Sequence, residues 1–238
     1  MGAKNPAELC RGTDLFSTVQ IHQADEDYTE HERNHEVAYS TELTLTTDEF
    51  LPIRTFQNFE VDPLAGITGT LAKLETTGEE LWIQVLVRPI PDDWQNAADR
   101  YINSIKNGRM FSLPGFGGSM QWLIGVLGAL WQPPEQGANQ STAVELSDRD
   151  KTRISEAEKK ATKLGYEVKI RLVYMGESQT NAKLRMQALV GTFKQFNSTN
   201  LNGFHAVKGA FGKEFIDKYR KRSFIGDGFI LNIEELAS

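Results

Sequence analysis

The chain has 238 residues, 39% of them hydrophobic and 24% charged, with a net charge of −6. That length can bury a full core in one or two domains, and the composition is globular rather than disordered. The single cysteine, Cys10, excludes an internal disulfide. No signal peptide is legible, and no apolar run reaches the roughly 20 residues that span a bilayer.

The charge is uneven. Residues 1–144 carry 9 basic and 20 acidic side chains, and residues 145–238 carry 17 and 12. An acidic half and a basic half can face different partners, or both can be ordinary solvated surface.

In chain order, residues 6–16 predict a short helix and STVQIHQA at 17–24 a strand. The acidic run 25–36 reads as a loop. Residues 39–45 alternate as a strand does, and 51–56 predict a second short one. Asp62-Pro63 is a helix start, with Asp as N-cap and Pro at the first helical position. The helix carries Leu64, Ile67, Leu71 and Leu74. Gly78 closes the connection to the strand LWIQVLVRPI at 81–90, with Leu81, Ile83, Val85 and Val87 on one face. Trp94, Ala97, Ala98, Tyr101, Ile102 and Ile105 mark the next amphipathic helix, ending near Gly108.

Residues 114–118 predict a loop, 120–131 an almost wholly apolar stretch, and 136–143 a polar linker. Ser147 then caps a helix bearing Ile154, Ala157, Ala161 and Leu164, with Gly165 expected as its C-terminal cap. The strand YEVKIRLVYM at 166–175 points Tyr166, Val168, Ile170, Leu172 and Tyr174 one way and Glu167, Lys169 and Arg171 the other. Met186, Leu189, Val190, Phe193 and Phe196 follow on a helix. Residues 229–232 predict a last strand and 233–238 a helix start.

Helix–strand–helix is thus written twice, with the same i, i+3, i+7, i+10 spacing on the first helix of each copy. The expected fold is α+β, with two related units each compatible with a ferredoxin-like arrangement. Their sheets are expected to be mixed or antiparallel, covered by helices on one side and wet on the other. The domain limits are placed at 1–135 and 144–238.

Sites for chemistry are sparse. The G-x-x-x-x-G-K-[ST] string of a phosphate-binding loop is absent, and Gly115-Phe116-Gly117-Gly118 reads as a flexible turn. His31 and His35 are four apart, with His22 and Glu36 as further candidate metal ligands. The segment lacks helical periodicity, so solvated histidines are favoured and no metal is assigned. Cys10 has no local His partner. No cofactor and no enzymatic activity are expected of this chain.

Two stretches suit binding. Lys208, Lys213, Lys218, Arg220, Lys221 and Arg222 interleave with Phe211, Phe215, Tyr219 and Phe224, the chemistry that holds single-stranded nucleic acid. The plainer and favoured reading makes Phe211, Phe215 and Tyr219 the buried stripe of a short helix. Met120, Trp122, Leu123, Leu127 and Trp131 suggest an interface that docks on a partner or membrane surface, or a helix buried between the units or between copies.

Several strings together resemble a region found just upstream of the motor in membrane-anchored ATPases of the type IV secretion and conjugative DNA-transfer kind in candidate-phyla bacteria. They are IHQADEDYT from Ile21, LPIRTF from Leu51, DPLAGI from Asp62, GEELWIQVLVRPI from Gly78, LGYEVKIRLVYM from Leu164, FKQFNSTNLNGF from Phe193 and ILNIEELAS from Ile230. The resemblance implies an excised, non-catalytic piece lying at the cytoplasmic face of the inner membrane. Its implied partners are the motor domain, neighbouring subunits or other secretion components, with DNA as an alternative. Membrane contact would be made by segments outside the chain or by 120–131. The resemblance carries no functional residue over.

Overall fold

Residues 165–176 form the strand around which everything else is arranged. The computed structural model describes residues 27, 29, 35–60, 62–74, 78–90, 93–106 and 146–238. Its elements are β1 (Val37–Leu45), α1 (Pro63–Ala72), β2 (Glu80–Pro89), α2 (Asp93–Lys106), α3 (Asp148–Ala161) and β3 (Gly165–Gly176). They continue with α4 (Gln179–Phe193), β4 (Phe204–Ala206), β5 (Ala210–Phe211), α5 (Glu214–Arg220), β6 (Phe229–Asn232) and α6 (Ile233–Leu236). Single 3-10 turns lie at Phe56–Asn58 and Lys194–Phe196.

Among the described residues six strands make one sheet, and all their pairings are antiparallel. β3 pairs on one edge with β2 from Glu80↔Met175 to Pro89↔Tyr166. Its other edge holds β1 at residues 170–176 and β6 at 165–168. β4 and β5 share the outer edge of β1. The class is therefore α+β, as the sequence predicts.

The two copies of the repeat share this sheet, and they interlock. β2 of the first copy pairs along its whole length with β3 of the second, from Glu80↔Met175 to Pro89↔Tyr166. The helices follow the same exchange. The first helix of one copy packs on the second helix of the other, as α1 on α4 and α3 on α2. Strand and helix pairings thus run between the copies, and His35–Ser238 forms one compact unit. The linker expected at 136–143 lies outside the described residues, as do the elements expected at 6–16, 17–24, 114–118 and 120–131.

The main core forms where the alternating face of β3 meets α4. Val168, Ile170, Leu172 and Tyr174 pack with Met186, Leu189, Phe193, Phe196, Phe204 and Phe229. Each such fully buried large side chain contributes roughly 1.5–3 kcal/mol. A second cluster joins α2 and α3 through Leu51, Ile102, Ile105, Ile154 and Ala157.

The opposite face of the sheet, expected to be wet, is covered. α5 lays Ile216 and Tyr219 against Ala38, Trp82, Val173 and Met175. Lys169 and Arg171 are buried there rather than solvated. Their charges meet Glu42, and Lys169 Nζ donates to the Ile225 carbonyl at 2.7 Å. A basic side chain on a strand is tolerated inside when a carboxylate and carbonyls take its protons.

Local signals held in several places. Asp62 accepts from Leu64 N at 2.8 Å, and the Ser147 hydroxyl accepts from Asp150 N at 3.2 Å. Gly78, at φ +67°, makes the left-handed turn into β2. Gly165 has another role than the cap expected of it. α3 ends at Ala161 with Thr162 as its C-cap, and a Cβ on Gly165 would sit 2.7 Å from the Trp94 ring, so glycine is needed for close approach. Residues 51–56 form no strand; Leu51 and Ile53 are buried by side-chain packing instead. Among the described residues, no helix is long and apolar enough to cross a membrane.

Candidate interaction surface

The outer edge of β2 has no strand partner among the described residues. β2 is long for an edge strand, and its second half is exposed. Val85 is 51% and Val87 43% accessible, although both belong to the face that Leu81 and Ile83 turn towards the core. Long apolar edge strands are templates for pairing with another chain.

Side-chain contacts hold this edge in place from both ends. At its start, Glu80 accepts from Trp82 Nε1 at 3.0 Å and lies 3.2 Å from His35 Nε2. His35 is thus part-buried against a carboxylate, where the sequence suggested a solvated loop histidine. Next to it, Glu79 accepts from the Tyr174 hydroxyl at 2.7 Å, Asn181 Nδ2 at 3.1 Å and Arg185 Nε at 3.0 Å. Burial, and then the Glu79 carboxylate, push the Tyr174 hydroxyl well above the usual tyrosine range. At its far end, Arg88 Nε donates to Glu167 at 2.6 Å and lies 4.1 Å over the Phe224 ring. Burial alone would raise the Glu167 carboxyl. Arg88, the Gly228 N–H and Lys169 outweigh it and hold the carboxyl below the usual range.

The six cations singled out by sequence all come from the segment that crosses the outer face of the sheet. Lys208 lies between β4 and β5, Lys213 precedes α5, and Lys218, Lys221 and Arg222 line its C-terminal end. All five are exposed, and Arg220 is half-buried. Exposed Glu214 and Asp217 lie among them. The aromatic residues of the segment have intramolecular neighbours. Tyr219 is buried at 5.2 Å from Trp82, Phe211 leans on Tyr39 at 4.6 Å, and Lys218 lies 5.1 Å from the Phe215 ring centre. The expected helical stripe is therefore Ile216 and Tyr219, because Phe211 belongs to β5. The interface residues Met120, Trp122, Leu123, Leu127 and Trp131 lie outside the described residues.

A buried charge cluster lies beneath α6 and was not foreseen from sequence. Lys160 Nζ lies 3.0 Å from Glu235 Oε2 and donates to the Ile230 carbonyl at 2.9 Å, with both side chains at or near zero exposure. Glu235 also accepts from Ile53 N at 2.9 Å and Asn232 N at 2.8 Å, closing a capping box. Burial lowers the Lys160 ammonium while Glu235 and Glu49 draw it back up. Burial raises Glu49, which takes the Ile230 N–H at 3.3 Å. Asn232 and Glu235, three apart as N-cap and third residue of the final helix, are the one local signal that points here.

A cleft of about 970 Å³ opens beside this cluster, between residues 52–60, α3 and α6. Four of the charged residues lining it are joined in pairs, Lys159 with Glu156 and Lys163 with Glu234. Among the described residues, no group of three or more His, Cys, Asp or Glu side chains is placed to hold a metal ion.

The family model described as a domain of unknown function, DUF8128, matches residues 13–238, and the chain belongs to that family. No curated protein and no solved structure matches it.

Proposed function

We propose that this DUF8128 domain is a non-catalytic assembly or interaction domain. Following the sequence resemblance, it serves a secretion- or conjugation-type ATPase whose motor lies outside this chain. It works at the cytoplasmic face of the inner membrane, with the motor and neighbouring subunits as partners. The observation that carries the interaction reading is the outer edge of β2, with its exposed Val85 and Val87. The ionisable groups of the interior support it, because they bind elements of the fold together. Lys160–Glu235 holds α6 to α3, Glu42 of β1 holds Lys169 and Arg171 of the neighbouring β3, and Glu79 joins the start of β2 to α4. Phosphate release by the purified chain with ATP and magnesium tests the non-catalytic part. The expected result is no turnover above buffer. Turnover that survives repurification and follows the protein through a sizing column would sink the reading.

A second reading, binding of single-stranded DNA, is favoured by one observation: five of the six named cations are exposed along one segment. It predicts binding whose affinity falls with salt, with a log–log slope of roughly −0.7 per phosphate contacted. Replacing Lys218, Arg220, Lys221 and Arg222 together by Ala should weaken that binding. Absence of binding at low salt removes this reading.

A further inference from the structure

We infer that the cleft between residues 52–60, α3 and α6 binds an extended acidic peptide of a protein partner. The inference goes beyond the reading given above, since no residue of β2 lines the cleft.

The two walls present donors. On the wall made by residues 52–60, the side chains of Arg54, Gln57 and Asn58 are exposed and make no hydrogen bond or ion pair among the described residues. A guanidinium has five N–H donors, and each amide has two donors and an acceptor. On the opposite wall, Lys159 stands in the last turn of α3 and Lys163 just beyond it. Both are paired, yet both stand further out than their carboxylates. The Lys159 side chain is 66% exposed against 30% for Glu156, and that of Lys163 is 39% exposed against 16% for Glu234. An ammonium has three donors, so each keeps some for a ligand. The third pair, Lys160–Glu235, is buried and offers the cleft no charge. Solvent in the cleft therefore meets three cations, with Glu60 as the exposed carboxylate among the lining residues.

The backbone favours a peptide over a phosphate compound. Phosphate sites are built from successive backbone N–H groups or from a helix N-terminus. On this wall the N–H groups of Ile53, Arg54, Phe56, Asn58 and Phe59 are spent inside the fold. The first turn of α3 does not line the cleft, and the start of α6 is closed by its own capping box. What remains is side-chain amides beside separated cations. An amide side chain matches a peptide unit donor for acceptor, and separated cations match carboxylates spaced along a chain. The volume of about 970 Å³ lies at the upper end for small-ligand pockets and leaves room for several residues.

Fluorescence anisotropy of a dye-labelled peptide of alternating glutamate and alanine, titrated with the whole chain at low salt, tests this. The chain carries −6 overall, so its net charge repels the probe and binding reports a local site. The expected result is saturable binding with a dissociation constant of about 10–500 µM, weakening as salt rises. The matching peptide of glutamine and alanine should bind about tenfold more weakly or worse. Arg54→Glu and Lys159→Glu should each weaken binding of the acidic peptide about tenfold. Gln57→Ala with Asn58→Ala should weaken it at unchanged salt dependence, which a site that merely attracts charge would not show. Lys221→Glu, exposed and outside the lining, should leave binding as it is. Circular dichroism reports whether each variant is folded, and Lys159→Glu carries the test should Arg54→Glu misfold. Absence of saturable binding, or equal binding of the neutral peptide, overturns the inference. So do folded cleft variants, charged or amide, that bind as the wild type does, or an equal loss in Lys221→Glu. Displacement of the probe by inorganic phosphate at lower concentration than by unlabelled peptide overturns it too.

Discussion

Replacing Lys160 by Met tests whether the cluster under α6 is what fixes the end of the chain to the body. Lys160 Nζ lies within 3.2 Å of both Glu235 oxygens, and neither side chain is more than 1% exposed. Met is close in shape to the lysine stem, so little packing is lost. What remains is a carboxylate buried without its counter-charge, holding only the Ile53 and Asn232 N–H groups. Removing one member of a buried ion pair costs about 3–5 kcal/mol. That is a large share of the 5–15 kcal/mol that typically holds a domain. Urea denaturation followed by tryptophan fluorescence should show a lower midpoint at unchanged slope. Lys160→Met with Glu235→Gln should recover part of the loss, since a neutral amide needs no counter-charge and its oxygen still accepts an N–H. A loss under about 1 kcal/mol for Lys160→Met, or a double variant worse than the single one, would refute the account of this cluster.

Glu49 gives a pH test. Burial raises its folded-state pKa above the ordinary value of 4.5. Its contribution is full below 4.5 and is lost as pH rises through the folded value, so the wild type should lose stability across that window. Glu49→Gln keeps an acceptor for the Ile230 N–H and should flatten that stretch of the stability–pH curve while gaining stability at neutral pH. Denaturant midpoints at closely spaced pH values check both. Gly228→Ala should destabilise by about 1–3 kcal/mol, because its Cβ would lie 2.5 Å from the Val168 carbonyl, and backbone cannot yield as a side chain can. Thermal melting reads the shift.

Much of the fold was legible because its signals are local. The alternation of β3, the caps at Asp62 and Ser147, and the stripe Trp94, Ala98, Ile102 and Ile105 depend only on neighbours in sequence. The repeat was legible as spacing, but its consequence was not. That the copies interlock across β2 and β3 follows from strand pairing, which spacing does not contain. Lys169 and Arg171 on an alternating strand read as a wet face. α5, which covers them, lies more than forty residues further on and presents Ile216 and Tyr219. Leu164 shows the reverse. It continues the stripe of α3 on paper, yet the helix ends at Ala161 and Leu164 is 65% exposed. The candidate edge was visible as a strand, but that its outer side has no strand partner among the described residues is a matter of sheet order, which only the assembled sheet displays. The basic segment at 208–222 was found from composition. Its aromatics were legible as a buried stripe only in part, because the chain bends from β5 into α5 between Phe211 and Glu214.

The most direct test of the account places a photoreactive amino acid at Val85, in the exposed half of β2. Irradiation followed by mass spectrometry should give cross-links from position 85 to a second polypeptide. Cross-links confined to the chain's own residues would contradict it.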